Sequence, residues 1–199
     1  MQKLFKRVLL ICAVFMFSNN LLASEQMVLK EHFLKKIDEV VVVVQDVSLS
    51  KCKRNNEIIN ILEPTFDFEL MAKLSLGKSW KKLPQKDKEK FIELYVKRMK
   101  KSYSSKLDSY NGEKIEVTNI KQPKSNRIAL ITDLESTSQN LEIVYKFYKP
   151  KEKKKDKDDW LIYDAEISGV SILKTDKAQF KEFLRTKSIF DLMDVLSKS

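Results

Sequence analysis

Apolar residues recur every three to four positions through the first half of this chain and every second position through most of the rest. The change of period falls at Asn111-Gly112. Upstream of it the pattern predicts helices. Ser24 caps a helix running through Val47, with Phe33, Leu34, Ile37 and Val40–Val44 on its apolar side. Five consecutive valines suit a strand as well, and the periodicity around them selects the helix. A second helix runs from Ser50 to Leu62 and ends at Pro64. Asp67 starts a third, with Leu70, Met71 and Leu74 along one face and Gly77 as its stop. Pro84 suits the first turn of a long helix, on which Phe91, Leu94, Tyr95, Arg98, Met99, Ser102, Tyr103 and Leu107 recur.

Downstream, Ile115/Val117, Ile128/Leu130/Leu134 and Leu141/Ile143/Tyr145/Phe147 predict three strands, and Trp160–Ser168 a fourth. In that fourth strand Leu161, Tyr163, Ala165 and Ile167 alternate with Trp160, Ile162, Asp164 and Glu166, which predicts one face in a core. Gly169 then turns the backbone. Thr175 or Asp176 caps a helix over 175–186 carrying Phe180, Phe183 and Leu184, and a last helix covers 188–197. Short connections between consecutive strands favour antiparallel pairing. The expected fold is therefore α+β, with helices on one face of a curved antiparallel sheet of about four strands. It divides into a helical half (24–110), a strand-rich half (111–173) and C-terminal helices (174–199).

The N-terminus changes this picture. Lys3, Lys6 and Arg7 precede the apolar run from Val8 to Phe17, and small and polar residues lead to Ala23. That is the layout of a cleavable secretory signal over 1–23, its apolar core too short for a span of about 20 residues. An uncleaved N-terminal anchor is the alternative, because Leu21 replaces a small residue before Ala23. Removing 23 of 199 residues leaves 176, enough for one core. It also removes three cations and no anions, lowering the net charge from +10 to +7. Cys12 leaves with the signal, so Cys52 has no intramolecular partner.

Export and the 28 interspersed acidic residues argue against a nucleic-acid partner despite the basic balance. The densest charge cluster, Lys149–Asp159, reads as a solvated hairpin loop. Its functional alternative is a tip attracted to anionic headgroups or an acidic partner. His32 is the only histidine and has no visible metal or triad partners, and the three glycines are isolated, so neither a metal site nor a phosphate loop is predicted. Asp67 serves most simply as a helix cap, and Asp164 as a strand carboxylate needing a cationic partner. Either would be an acid/base candidate in an enzyme. Tyr95, Met99, Tyr103, Tyr145, Phe147 and Tyr163 form an apolar inventory that, taken alone, is ordinary core.

Several short motifs carry a resemblance. Asp67-Phe68 is followed by Leu76-Gly77-Lys78-Ser79-Trp80, then by Trp160-Leu161-Ile162-Tyr163-Asp164, Gly169-Val170-Ser171 and Gln179-Phe180. In this order and spacing, from about Ile58 to Leu196, the chain resembles the periplasmic phospholipid-binding proteins of the MlaC, or toluene-tolerance, family. One position departs: Asp176 stands where the family usually has an aromatic residue.

The resemblance implies a carrier without cofactor or catalysis, holding acyl chains between helices and sheet. It implies passage of lipid between an outer-membrane lipoprotein–porin complex and the MCE-domain protein of an inner-membrane ABC transporter, maintaining outer-membrane lipid asymmetry. Periodicity and resemblance together nominate Phe68, Met71, Leu74, Tyr95, Met99, Tyr103, Tyr145, Phe147, Tyr163, Ile167, Val170 and Phe180 for the acyl-chain pocket of a monomer. Arg98, Lys101 and Lys106 are nominated for headgroup or partner docking. At about 0.8 kcal/mol per methylene, two tails of roughly 14 methylenes resist leaving a membrane by ~20 kcal/mol. Only a deep apolar pocket offsets that, and headgroup selectivity should then be weak. The competing readings are a small periplasmic hydrolase or isomerase and an assembly chaperone.

Overall fold

The computed structural model describes residues 25–107, 113–135 and 141–198, with side chains left undescribed at 103–107. The predicted signal segment and the Ser24 cap lie outside these residues. Helix α1 covers residues 25–45, so the valine run is helical. Helix α2 (Lys51–Leu62) starts at Ser50, whose hydroxyl accepts from the Lys53 N–H. Helix α3 (Phe68–Leu76) is capped by the Asp67 carboxylate, which accepts from the Leu70 N–H at 3.0 Å, and it stops at Gly77 with φ +55°. Helix α4 (Gln85–Leu107) follows directly on Pro84.

The sheet has five strands in the order β1-β2-β3-β4-β5, all neighbours antiparallel: β1 (Lys114–Lys124), β2 (Arg127–Glu135), β3 (Leu141–Tyr148), β4 (Leu161–Ile167) and β5 (Val170–Ser171). Pro123 lies in β1, an edge strand, where a missing donor is tolerated. The fifth strand is an addition to the four expected. Ser168 (φ 48°) and Gly169 (φ 79°) both adopt positive φ, the turn of a two-residue hairpin, so Gly169 folds β5 back onto β4.

Helix α5 (Ile172–Phe183) begins three residues before the expected start. Ser171, not Thr175 or Asp176, is its cap, accepting from the Lys174 N–H at 3.0 Å. Helix α6 (Ile189–Lys198) opens on a capping box in which Ser188 and Asp191 exchange hydrogen bonds.

The alternation predicted for the fourth strand is broken. Phe147 pairs with Ile162 while Lys146 pairs with Asp164, leaving Tyr163 as the extra residue of a bulge. Ile162 and Ala165 therefore share the core face of Phe147 and Tyr145. Tyr163 is moved to the opposite face, where the Arg127 guanidinium lies 4.9 Å from its ring and 5.0 Å from that of Tyr148. The core joins Phe33 of α1, Met71 of α3, Phe91 and Tyr95 of α4 and Phe180 of α5 to Ile128, Leu130 and Phe147 of the sheet.

Candidate functional site

Between α1, α2 and the core face of the sheet the packing is incomplete. A cavity of about 170 Å³ remains, lined almost entirely by carbon. On the scale on which one water takes about 10–15 Å³, it has room for about 11 to 17 water-sized groups. Helix α1 supplies Phe33, Ile37, Val40 and Val41, α2 supplies Ile59 and Leu62, and Phe66 and Phe68 enter from the turn into α3. Ile115, Tyr145 and Ile162 form the floor. The Phe33 ring is tilted over Tyr145 at 4.9 Å and edge-on to Phe147 at 6.2 Å, while Phe66 stacks on Phe68 at 5.1 Å. Burial pushes the Tyr145 phenol up to about 12, keeping it uncharged.

The cavity stays open because α1 and α2 are lightly docked. Ile58 is the only buried residue of α2, and the C-terminal half of α1 buries only Val40. Polar ties hold α1 instead. Glu25 pairs with Lys149 at 2.7 Å, Gln26 with Gln122 at 2.8 Å and His32 with Asp158 at 3.0 Å, and Lys36 donates to the Ile61 carbonyl at 3.2 Å. Among the described residues the charged groups lining the cavity are Lys36, Lys100 and Glu63, gathered at one side.

The connection from 149 to 160 is the expected hairpin loop with most of its residues exposed, but several of its charged groups turn inward. Lys154 pairs with the buried Asp67 carboxylate at 2.9 Å, Lys157 donates to the Glu63 carbonyl at 2.6 Å, and Asp158 accepts from Thr65 and pairs with His32. Its charges thus fasten the strand connection to α1 and the α2–α3 corner.

Both acid/base candidates are fully occupied by structural bonds. Asp67 accepts from the Leu70 N–H, Lys154 and the Tyr148 hydroxyl. Asp164 accepts from Lys146 at 3.1 Å, the Ser171 hydroxyl and the Leu173 N–H at 3.1 Å, fixing the β4–β5–α5 corner. Lys146 is the cationic partner Asp164 was expected to need.

Of the residues nominated for the pocket, Phe68 and Tyr145 line the cavity. Met71, Tyr95, Met99, Phe147 and Phe180 are buried in the filled core beside it, and Leu74 and Ile167 are half-buried outside it. Tyr163 faces the other side of the sheet because of the bulge, and Val170 is exposed on the hairpin. The side chains of Tyr103 and Lys106 lie outside the described residues. Arg98, nominated for docking, turns inward to pair with Asp176 at 2.7 Å, while Lys101 is exposed. The α1 and α2 lining was missed, although Phe33, Ile37 and Val40 already stood out as an apolar stripe. A stripe facing a void has the same period as one facing a core.

These features define a class: an α+β domain with an apolar chamber between a loosely docked helical pair and an open antiparallel sheet. The family profile described as MlaC protein matches residues 35–198, and the chain belongs to that family. The same fold occurs in the phospholipid-binding protein from Ralstonia solanacearum, solved in complex with a phospholipid. That likeness has a TM-score of 0.70 at 13% identity and covers 84% of this chain and 94% of that one. No curated protein matches the sequence. Among the described residues no helix is long and apolar enough to cross a membrane.

Proposed function

We propose that this protein is a periplasmic phospholipid carrier that buries acyl chains in the cavity between α1, α2 and the sheet. The observation that carries this reading is the carbon-lined chamber, in a fold also found in a phospholipid-bound protein. At about 170 Å³ the chamber takes a short stretch of one chain. Full tails require α1 and α2 to move outward, and their thin apolar docking permits this. Binding rather than catalysis fits the carboxylates, since Asp67 and Asp164 are held by three partners each.

The carrier would receive lipid from, or deliver it to, an outer-membrane lipoprotein–porin complex and an MCE-domain protein of an inner-membrane ABC transporter. The signal-like segment at 1–23 would place it between them. Docking falls to exposed cations such as Lys101 on α4 rather than to Arg98, whose charge is spent internally. Organic extraction of the purified protein followed by mass spectrometry tests the reading, with phospholipid expected in the extract. Lipid-free protein that captures unfolded chains would instead identify a chaperone. Turnover abolished by Asp164→Asn in a still-folded protein would identify an enzyme.

A further inference from the structure

At the charged side of the cavity three lysines converge on one short stretch of chain. Lys36 donates to the Ile61 carbonyl, Lys100 pairs with the Glu63 carboxylate at 2.9 Å, and Lys157 donates to the Glu63 carbonyl. Helix α2 ends here with no basic residue in its own last turn, so its carbonyl end attracts a cation. That accounts for one lysine, not three. Among the described residues Glu63 is the only carboxylate lining the cavity. The adjoining groove shares Glu63 and Phe68 with the cavity and carries Lys154, Lys155 and Lys157. Its other carboxylates are Asp67, already paired with Lys154, and Glu69, whose nearest ammonium is also that of Lys154 at 3.8 Å. Burial lowers the affinity of Lys157 for its proton, outweighing the attraction of Glu63 and Asp67, with smaller repulsions from Lys100 and Lys154 acting in the same direction as burial. An amphiphile with its tail in the carbon-lined space thus has its polar end among crowded ammonium groups.

We propose that Lys36 and Lys100 form the seat of an anionic phospholipid headgroup, and that the Glu63 carboxylate holds this seat until lipid arrives. The inference rests on the carrier reading and sharpens it, replacing the weak headgroup selectivity expected from sequence with a preference for net-negative headgroups. A phosphodiester accepts from both ammonium groups and displaces Glu63 from Lys100. A zwitterionic headgroup brings its own cation to a place that already holds too many. A glycerol headgroup does not.

The test uses delipidated protein incubated with phosphatidylglycerol or phosphatidylcholine vesicles of identical acyl chains, with lipid counted by mass spectrometry in the soluble protein fraction. The wild type should take up phosphatidylglycerol in excess on the order of fivefold at low salt, the ratio produced by one partly screened charge contact. That ratio should fall toward one in about 0.5 M salt, where screening is nearly complete beyond a few ångströms. It should fall likewise in K36Q/K100Q and rise in E63Q. A distant control of equal charge change, K181Q/K187Q, should not move it; an equal fall there would assign the preference to diffuse charge and overturn the seat. Equal uptake of both lipids by the wild type overturns the inference and leaves the carrier reading standing. Uptake of neither lipid overturns both. If K36Q/K100Q does not fold, the rise in E63Q read against the K181Q/K187Q control decides.

Discussion

Asp176 of α5 and Arg98 of α4 form an ion pair of 2.7 Å whose carboxylate is almost wholly buried, and the second Asp176 oxygen accepts from the Tyr95 hydroxyl at 2.8 Å. The guanidinium also lies 5.7 Å from the Phe180 ring. Burial alone would weaken the Arg98 charge, but the hydrogen bond and charge of Asp176 outweigh it and raise its affinity for the proton. Asp176, which the sequence offered as a helix cap, is therefore a built core contact. Asp176→Ala would leave a largely desolvated cation without its counter-charge, costing about 3–5 kcal/mol. Urea denaturation measures this. The double change Arg98→Leu/Asp176→Leu should lose less than Asp176→Ala alone, because it removes the stranded charge.

The β4–β5 turn offers a cleaner backbone test. A Cβ on Gly169 would meet nothing within 4 Å, so Gly169→Ala is limited by its φ of 79° alone. The expected cost is about 1 kcal/mol. That corresponds to a fall in melting temperature of roughly 2–4 °C for a chain of this size. A much larger loss would show that the turn carries the Ser171 cap and the Asp164 bonds cooperatively with it.

Much of this architecture was legible because short-range chemistry decided it. Asp67 and Ser50 cap the helices they were expected to start or enclose, and Gly77 stops α3. The strand periods located β1 to β4. What was not legible depends on partners distant in sequence. The bulge at Tyr163 arises from pairing with β3, and nothing in the alternation of residues 160–167 announces it. Asp176 resembled a cap because small acidic residues favour caps. The Ser171 cap instead places it inside α5, where Arg98 and Tyr95 hold it. The cavity was least legible, since a missing neighbour leaves no mark on the residues that surround the gap.

The tyrosines predict an alkaline signature. Tyr145 is pushed up to about 12 by burial, and Tyr148 is raised further, first by burial and then by its bond to Asp67 and that charge. A phenol whose folded value lies above its unfolded value of about 10 contributes stability that is intact below pH 10. That stability is lost as pH rises toward the folded value. Of the six tyrosines, at least two should remain un-ionised past about pH 11 in an ultraviolet titration and ionise together with unfolding. Tyr145→Phe and Tyr148→Phe should each remove part of that delayed step. A smooth titration of all six near pH 10 would contradict the burial of Tyr145 and the Tyr148–Asp67 bond.

Asp158 sets the acid limit at the α1 tie. Burial raises its value, but the bonds from His32 and Thr65 and the charges of His32 and Lys36 outweigh that and hold it below the usual carboxylate range. A depressed folded value means stability present above about pH 4 and lost as pH falls through the folded value. Asp158→Asn should therefore flatten the acid limb of the stability curve. It should also loosen α1, read as faster amide exchange along residues 25–45.

A void and a packed core respond oppositely to added volume, which separates the cavity from the ordinary interior beside it. Ile59 lines the open space, whereas Met71 is completely buried in filled core. Tryptophan at Met71 forces its neighbours off their rotamers, costing about 1–3 kcal/mol or more. Tryptophan at Ile59 has space to enter, so the unfolding free energy should stay within about 1 kcal/mol of wild type. Lipid content should respond in the reverse order. Ile59→Trp occupies the volume a tail would use and should cut co-purified phospholipid by more than half, while Met71→Trp lowers it only as far as it lowers the folded fraction. Equal destabilisation by both substitutions would mean that the space beside Ile59 is closed, and an undiminished lipid content in Ile59→Trp would place the tails elsewhere.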